Sequence, residues 1–400
     1  MNASIYCDEC NSVYSIKEPI VLCPCGKGLA EVMFDSIPKL SWDVFSGRNP
    51  GVWKYLELIP VPPEADLVSI GEGGTPLVEL KNGPTRNSHV KLEGSNPTGS
   101  FKDRGMTVAI TMAKYLGVKT VICASTGNTS SSMAAYAARA GLKAVIVLPE
   151  GKVAKGKISQ AILHGATIIN VRGNFDLALS IVREIGRKGI AYVMNSVNPW
   201  RLEGQKTVVF EIVEEIGVPD WIVLPVGNAG NISALWKGLK ELVEAGLIDK
   251  LPRIAGIQAL GASPLAQAFK NNRKSPEFID NPETIASAIR IGKPVSWKRA
   301  MKAVEESGGV FEFVTDREIL KAQKNLARKE GLEVEPASAA AYAGAMKLVE
   351  NGIIDKDDKV AIIATGHALK DPDTAGSHEV VKYSADPESI ERIILNIISK

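Results

Sequence analysis

Residues 120–148 read TVICASTGNTSSSMAAYAARAGLKAVIVL, and their pattern decides the fold. Thr120–Ala124 and Lys143–Leu148 are short, β-branched and almost wholly apolar, and the alanine-rich segment Met133–Arg139 between them has the make-up of a helix. Strands that are apolar without alternation belong to parallel sheets covered on both faces. The same alternation continues outward. Strands are expected at Thr167–Val171, Ala191–Met194, Trp221–Val226, Ile254–Gln258 and Lys359–Ala364. Helices are expected at Asp176–Lys188, Gln205–Ile216 and Ser233–Ala245, with a last amphipathic one over Glu388–Ser399. An α/β protein with doubly wound sheets is the expectation.

The chain has 400 residues, 45% of them hydrophobic. That is more than one core accommodates, since single cores stop growing near ~250–300 residues. Lys and Arg number 47 against 45 Asp and Glu, for a net charge of +2. Such balance gives no reason to expect nucleic acid or an anionic membrane as partner, and leaves small charged metabolites open. Met1–Tyr14 lacks a basic start followed by an apolar core, and no apolar run approaches the ~20 residues of a membrane span. A cytoplasmic protein is expected.

Four of the five cysteines fall in the first 25 residues, as Cys7-Asp-Glu-Cys10 and Cys23-Pro-Cys25. Two such pairs on turns are candidate ligands of one structural zinc, and reduced, metal-free thiols are the alternative. The second pair is C-x-C where C-x-x-C is usual.

Residues 93–105 read EGSNPTGSFKDRG. Pro97 and Gly99 make a turn, Ser100 and Asp103 resemble a capping box, and Phe101, Val108, Met112 and Leu116 form a helical stripe ending at Gly117. Lys102 therefore falls in the first helical turn, where the helix dipole and the neighbouring Arg104 both favour a neutral amine. A neutral amine attacks aldehydes. An exposed lysine at an ordinary helix start is the plainer reading.

Four loops at strand ends add to this. Ser125–Ser132 holds seven hydroxyl or amide side chains between a strand and a helix, a setting suited to a carboxylate. Gly227-Asn-Ala-Gly-Asn231 follows another strand and suits a phosphate, although it is no Walker loop. Asn195-Ser-Val-Asn-Pro-Trp-Arg201 offers an Arg clamp for a second phosphate. Thr365 begins the last loop, and His367 beside it reads as structural.

Together NPTGSFKDRGM (96–106), ASTGNTS (124–130), LPVGNAGN (224–231), EPASAA (335–340) and ATGHALKD (364–371) resemble, over about residues 70–372, the fold-type II pyridoxal-phosphate enzymes of the tryptophan synthase β kind. Among these the likeness is to the threonine synthases. It implies a small domain over 98–197, a large cofactor-binding domain over 36–97 and 198–400, and a Cys-rich ribbon over 1–35. It implies that Lys102 holds the cofactor aldehyde, that Asn128 meets the phenolic oxygen, and that Gly227, Asn228, Ala229, Gly230 and Asn231 cradle the cofactor phosphate. Thr365 is implied at the pyridine nitrogen, where a hydroxyl, unlike a carboxylate, would leave that nitrogen largely unprotonated. Ser125, Thr126 and Thr129 are implied for the substrate carboxylate, and Asn195, Ser196 and Arg201 for its phosphate. The implied reaction converts O-phosphohomoserine to threonine, in a homodimer. Ala368, where glycine is frequent, and Val334, where a smaller residue or cysteine is common, depart from the pattern.

Two rival readings stand beside this one. A dehydratase acting on serine or threonine, or a β-replacement enzyme acting on phosphoserine, cysteate synthase-like, keeps the cofactor. The phosphoserine case differs from phosphohomoserine by one methylene, which a pocket wall discriminates by only ~1–3 kcal/mol. A non-catalytic zinc-ribbon interaction protein is the reading from another class.

Overall fold

The computed structural model describes residues 3–150, 155–173, 175–376 and 390–398. Three strands open the chain: β1 (Ala3–Cys7), β2 (Val13–Ser15) and β3 (Ala30–Phe34), antiparallel in the order β2-β1-β3. Then come β4 (Leu77–Glu79) and β5 (Asn87–Leu92). A block of four strands follows: β6 (Thr120–Ala124), β7 (Lys143–Pro149), β8 (Thr167–Val171) and β9 (Tyr192–Val193). The last four are β10 (Trp221–Pro225), β11 (Arg253–Ala259), β12 (Val310–Val314) and β13 (Lys359–Ala364).

These strands make a parallel sheet in the order β8-β7-β6-β9 and a six-stranded sheet in the order β12-β11-β10-β13-β5-β4. In the larger sheet only the edge pair β4–β5 is antiparallel. All five residues of β10 are buried, which is what an apolar run without alternation requires. The edge strand β8 departs from the expectation of full cover, with Ile169 exposed.

Helices cover the sheets. In chain order they are α1 (Lys102–Tyr115), α2 (Asn128–Ala140), α3 (Lys155–Leu163), α4 (Phe175–Arg187), α5 (Trp200–Gln205), α6 (Thr207–Ile216), α7 (Gly230–Glu244), α8 (Pro264–Lys270), α9 (Trp297–Glu306), α10 (Asp316–Asn325) and α11 (Pro336–Glu350). A short turn of helix at Pro372–Gly376 precedes a last helix over Ile390–Ile398. Glu388, Ser389 and Ser399, the ends of the expected tail helix, lie outside the described residues.

Three local readings change. The stretch Ser125–Ser132 is not one loop, because the helix already begins at Asn128. Likewise α7 begins at Gly230, inside the glycine-rich turn. Finally, α1 starts at Lys102 without the expected capping box. The Asp103 carboxylate instead accepts from Thr98 N (2.7 Å), Thr98 Oγ1 (2.6 Å) and Ser132 Oγ (2.6 Å). Three donors compensate a fully buried carboxylate better than one end of a helix does.

Candidate active site

The carboxyl ends of β6, β9, β10 and β13 each release one of the polar segments read from the sequence. In open parallel sheets this edge is where ligands lie. The first helical turn of α1 is pinned to the end of β13: Phe101 N donates to Thr365 O (3.0 Å), and Ser100 bridges to Gly366. Lys102 follows directly. Its surroundings desolvate the amine and, with the Arg201 guanidinium, pull its pKa down to about 7, while Glu335 acts the other way.

Arg104 does not contribute to that shift as expected. It is buried and turned away, with Nε on Glu93 (2.6 Å) and Nη1 on Glu211 (2.6 Å), so its charge is neutralised. The second cation beside Lys102 is Arg201, which comes from α5, about a hundred residues later. Burial lowers the Arg201 pKa to about 10. Its Nη1 donates to Met194 O (3.2 Å), its Nε has no partner, and no carboxylate pairs with it among the described residues. A buried, unpaired cation is costly unless an anion meets it.

At the end of β10, Ala229 adopts φ 65°, a conformation unusual for a residue with a side chain, and α7 starts immediately after it. A Cβ built on Gly230 would meet only Ser196 Cβ, 4.0 Å away, so the space above the helix start is open. The Asn231 amide nitrogen and oxygen are both buried without partners. The segment 227–231 and Ser196 thus face one another across an anion-suited gap.

Of the other expected residues, Ser125, Thr126 and Thr129 are half-buried around the start of α2, and Ser125 Oγ accepts from Gly127 N (3.3 Å). Asn195 is turned toward the sheet. Its amide donates to Ala124 O (2.9 Å) and accepts from Ala124 N (3.0 Å), extending β6 by one pairing.

Glu335, to which the sequence reading gave no chemical part, lies in the middle of the site. Asn128 Nδ2 donates to its Oε2 (3.0 Å) and Thr365 Oγ1 donates to its Oε1 (3.1 Å). A Cβ on Gly366 would come within 2.6–2.7 Å of this carboxyl group, so the glycine makes room for it. The only signal in the sequence was EPASAA itself. Lys370 is a second such residue: it donates to Thr98 O (3.0 Å) and to Gln160, across a cavity of about 330 Å³ that also borders Asn128 and His367.

Residues 68–366 match the family model described as pyridoxal-phosphate dependent enzyme. The chain belongs to the pyridoxal-phosphate-dependent enzymes. Pyridoxal phosphate is accordingly the cofactor of this enzyme, and the non-catalytic reading falls. The family member is 52% identical to threonine synthase of Methanocaldococcus jannaschii, over 97% of this chain and 98% of that one. It is 50% identical to threonine synthase of Halalkalibacterium halodurans, over 81% and 90% respectively. Among solved structures, processed threonine deaminase isoform 2 of Solanum lycopersicum superposes with a TM-score of 0.67 at 21% identity, covering 83% of this chain and 96% of that one. Maize serine racemase gives 0.63 at 21% identity, over 81% and 92%. Those two similarities establish the fold-type II architecture and nothing about substrate.

The residues present fit the cofactor. A lysine amine whose pKa is lowered to about 7, and which is therefore about half neutral at that pH, suits an aldehyde, and the open cradle with its unpartnered Asn231 suits a phosphate.

The four cysteine sulfurs of the ribbon also gather, all within 4.8 Å of one another. Cys7 and Cys25 are 3.7 Å apart, Cys10 and Cys23 3.8 Å and Cys23 and Cys25 3.2 Å, while Cys7 and Cys23 are paired as a disulfide. Among the described residues, no helix is long and apolar enough to cross a membrane.

Proposed function

We propose that this enzyme is a threonine synthase, releasing phosphate from O-phosphohomoserine and adding water to give threonine. The observation that carries the reading is 52% identity with a threonine synthase along almost the whole of both chains. The buried, unpaired Arg201 beside Lys102 supports it, because a substrate phosphate supplies the missing anion.

In this reading Lys102 holds the cofactor aldehyde, Gly227–Asn231 holds its phosphate, Asn128 its phenolic oxygen and Thr365 its ring nitrogen. Bound there, pyridoxal phosphate stabilises negative charge at the substrate carbon bearing the amine. Lys102, once released by the substrate amine, takes the Cα proton and gives it up before taking a Cβ proton. The two protons so moved end on Cα and on Cγ, which becomes the methyl group as phosphate leaves; water supplies the hydroxyl at Cβ and its own proton goes with the phosphate. Ser125, Thr126 and Thr129 fix the carboxylate. Arg201 and Ser196 receive the phosphate leaving Cγ. Asn195 holds the end of β6 in place, and its second amide proton remains for that phosphate. The test is incubation with O-phosphohomoserine and, separately, phosphoserine, following phosphate and threonine. Phosphate released from phosphoserine in preference would replace this reading with the β-replacement one.

The same proposal includes a homodimer, carried by the resemblance and checked by light scattering as a particle of twice the chain mass. It also includes one structural zinc on Cys7, Cys10, Cys23 and Cys25. Zn–S bonds of about 2.3 Å put tetrahedral sulfurs roughly 3.8 Å apart, close to two of the observed spacings. Loading the ion would part Cys7 from Cys23.

A further inference from the structure

Four charged side chains outside the reacting groups close into a ring. Glu203 and Lys206 are fully buried, and Glu241 and Lys237 nearly so. Glu203 of α5 pairs with Lys206 (2.5 Å), at the junction of α5 and α6, and with Lys237 of α7 (2.5 Å). Glu241, one turn on from Lys237, pairs with both lysines, at 2.6 Å from Lys206 and 3.2 Å from Lys237. Two positive and two negative groups cancel, which is how such charges survive burial. Burial opposes the charge on Glu203, but Lys206 and Lys237 more than offset it, and its pKa lies below the usual carboxylate range. The third donor of Lys237 meets Val32 O of the ribbon (2.5 Å), and the Lys206 ammonium lies 5.2 Å from the centre of the Phe34 ring.

The ring ties together two helices that carry different parts of the site. Arg201 stands two residues before Glu203 on α5, and the proposed phosphate cradle is the first turn of α7, about two turns before Lys237. A Cβ on Gly238 would lie 2.9 Å from Lys206 Cβ, so α7 already touches the junction and has no room to approach it further. On its other side α5 packs against α1, whose first residue is Lys102. A six-residue helix such as α5 does not hold its place by itself. Its neighbours place it.

That placement bears on the length of the substrate. With the cofactor phosphate on α7 and the cofactor aldehyde at Lys102, the amine end of the substrate is fixed relative to α7. Its phosphate has to reach Arg201 on α5. The spacing of the two helices therefore measures the chain between amine and phosphate. We propose that Glu203, Lys237 and Glu241 are positioning residues that make the enzyme select a phosphate on Cγ over one on Cβ, by fixing Arg201 relative to the phosphate cradle. This rests on the threonine synthase reading and on Arg201 receiving the substrate phosphate. A chain one methylene short leaves the buried Arg201 without its anion, a loss that a sliding α5 would relieve.

The test is the double variant Lys237→Met with Glu241→Gln. It takes out one charge of each sign, so Glu203 and Lys206 stay paired while α5 loses its ionic tie to α7. In holoenzyme at saturating cofactor, KM for O-phosphohomoserine and the inhibition constant of phosphoserine are measured for wild type and variant. The expected ratio of the second to the first is about 10–200 in the wild type and about tenfold smaller in the variant. A change in stability alone leaves that ratio unmoved. An unmoved ratio in the folded variant overturns the inference. If the double variant does not fold, Glu203→Asp decides: it keeps every charge and shortens one side of the ring by a methylene, so the ratio should fall there too, and an unchanged one overturns the inference. A wild type that favours phosphoserine would remove the threonine synthase reading, whereas a ratio that still moves in the variants would uphold the ring as the device that sets length, so the two failures are separable.

Discussion

Lys102 stands between two charges that act on its amine in opposite senses: Arg201 disfavours the proton and Glu335 favours it, with burial tipping the balance to a pKa of about 7. Only the neutral amine attacks an aldehyde. Reconstitution of the cofactor-free protein with pyridoxal phosphate should therefore quicken as pH rises through about 7 and level off above it. An ordinary lysine would still be gaining at about pH 9, since its pKa is about 10.4. Stopped-flow absorbance distinguishes the two profiles. Arg201→Ala removes the repelling charge, so the midpoint should move up. The same change should raise KM for the phosphorylated substrate by about ten- to a hundredfold, as expected for a charged hydrogen bond of ~1.5–3 kcal/mol. An unshifted midpoint with unchanged KM would take Arg201 out of the site. Lys102 was legible because its turn, helix start and neighbours are contiguous. Arg201 and Glu335 were not legible as its electrostatic partners: charge acts through space, and Arg104, near in sequence, is neutralised by Glu93 and Glu211.

Helix packing explains how Arg201 reaches Lys102. A Cβ on Gly204 in α5 would lie 1.7 Å from Arg104 O, and one on Gly105 in α1 would lie 2.6 Å from Arg201 O. The two helices cross with their backbones in contact, and this brings the start of α1 beside Arg201. Gly204→Ala should therefore force them apart, destabilising by at least ~1–3 kcal/mol and raising KM as Arg201 withdraws. Calorimetry and steady-state kinetics check both, and a variant with the wild-type melting temperature and KM would refute the close crossing. At this scale the sequence was read well where apolar runs are long, as in β6, β7, β10 and β13. It was read poorly where a helix begins in residues typical of turns. Asn128–Ser132 and Gly230–Asn231 belong to helices whose first turns face the site, and their hydroxyls, amides and glycine obscured that. β4, β5, β12 and the ribbon strands escaped notice because polar or charged residues interrupt them, as Glu312 does in β12, and they lack a continuous apolar run.

Across the whole molecule the ribbon touches elements that serve both sheets. Ile5 and Val32 share an apolar cluster with Val108 of α1 and Val193 of β9, and a Cβ on Gly186 of α4 would lie 3.6 Å from Leu22. On the other side Lys237 of α7 donates to Val32 O (2.5 Å), while Arg299 of α9 donates to Leu29 O (3.1 Å) and pairs with Asp8 (3.1 Å). α7 is the helix whose first turn is the proposed phosphate cradle. Three strands of five, three and five residues bury too little to fold without help, so closure of their ends by the proposed zinc would have a structural purpose. Metal analysis should find one zinc per chain. A chelator, or the paired change Cys10→Ser with Cys25→Ser, should lower the melting temperature, by an amount equivalent to about 4 kcal/mol if zinc is held at a thousand times its dissociation constant. Turnover at low temperature should persist, because no ribbon residue borders the reacting groups. Cofactor affinity should weaken, because α7 loses the support of Val32. A metal-free protein whose Cys7 and Cys23 resist thiol reagents until reduced would show instead that the ribbon is closed by a disulfide.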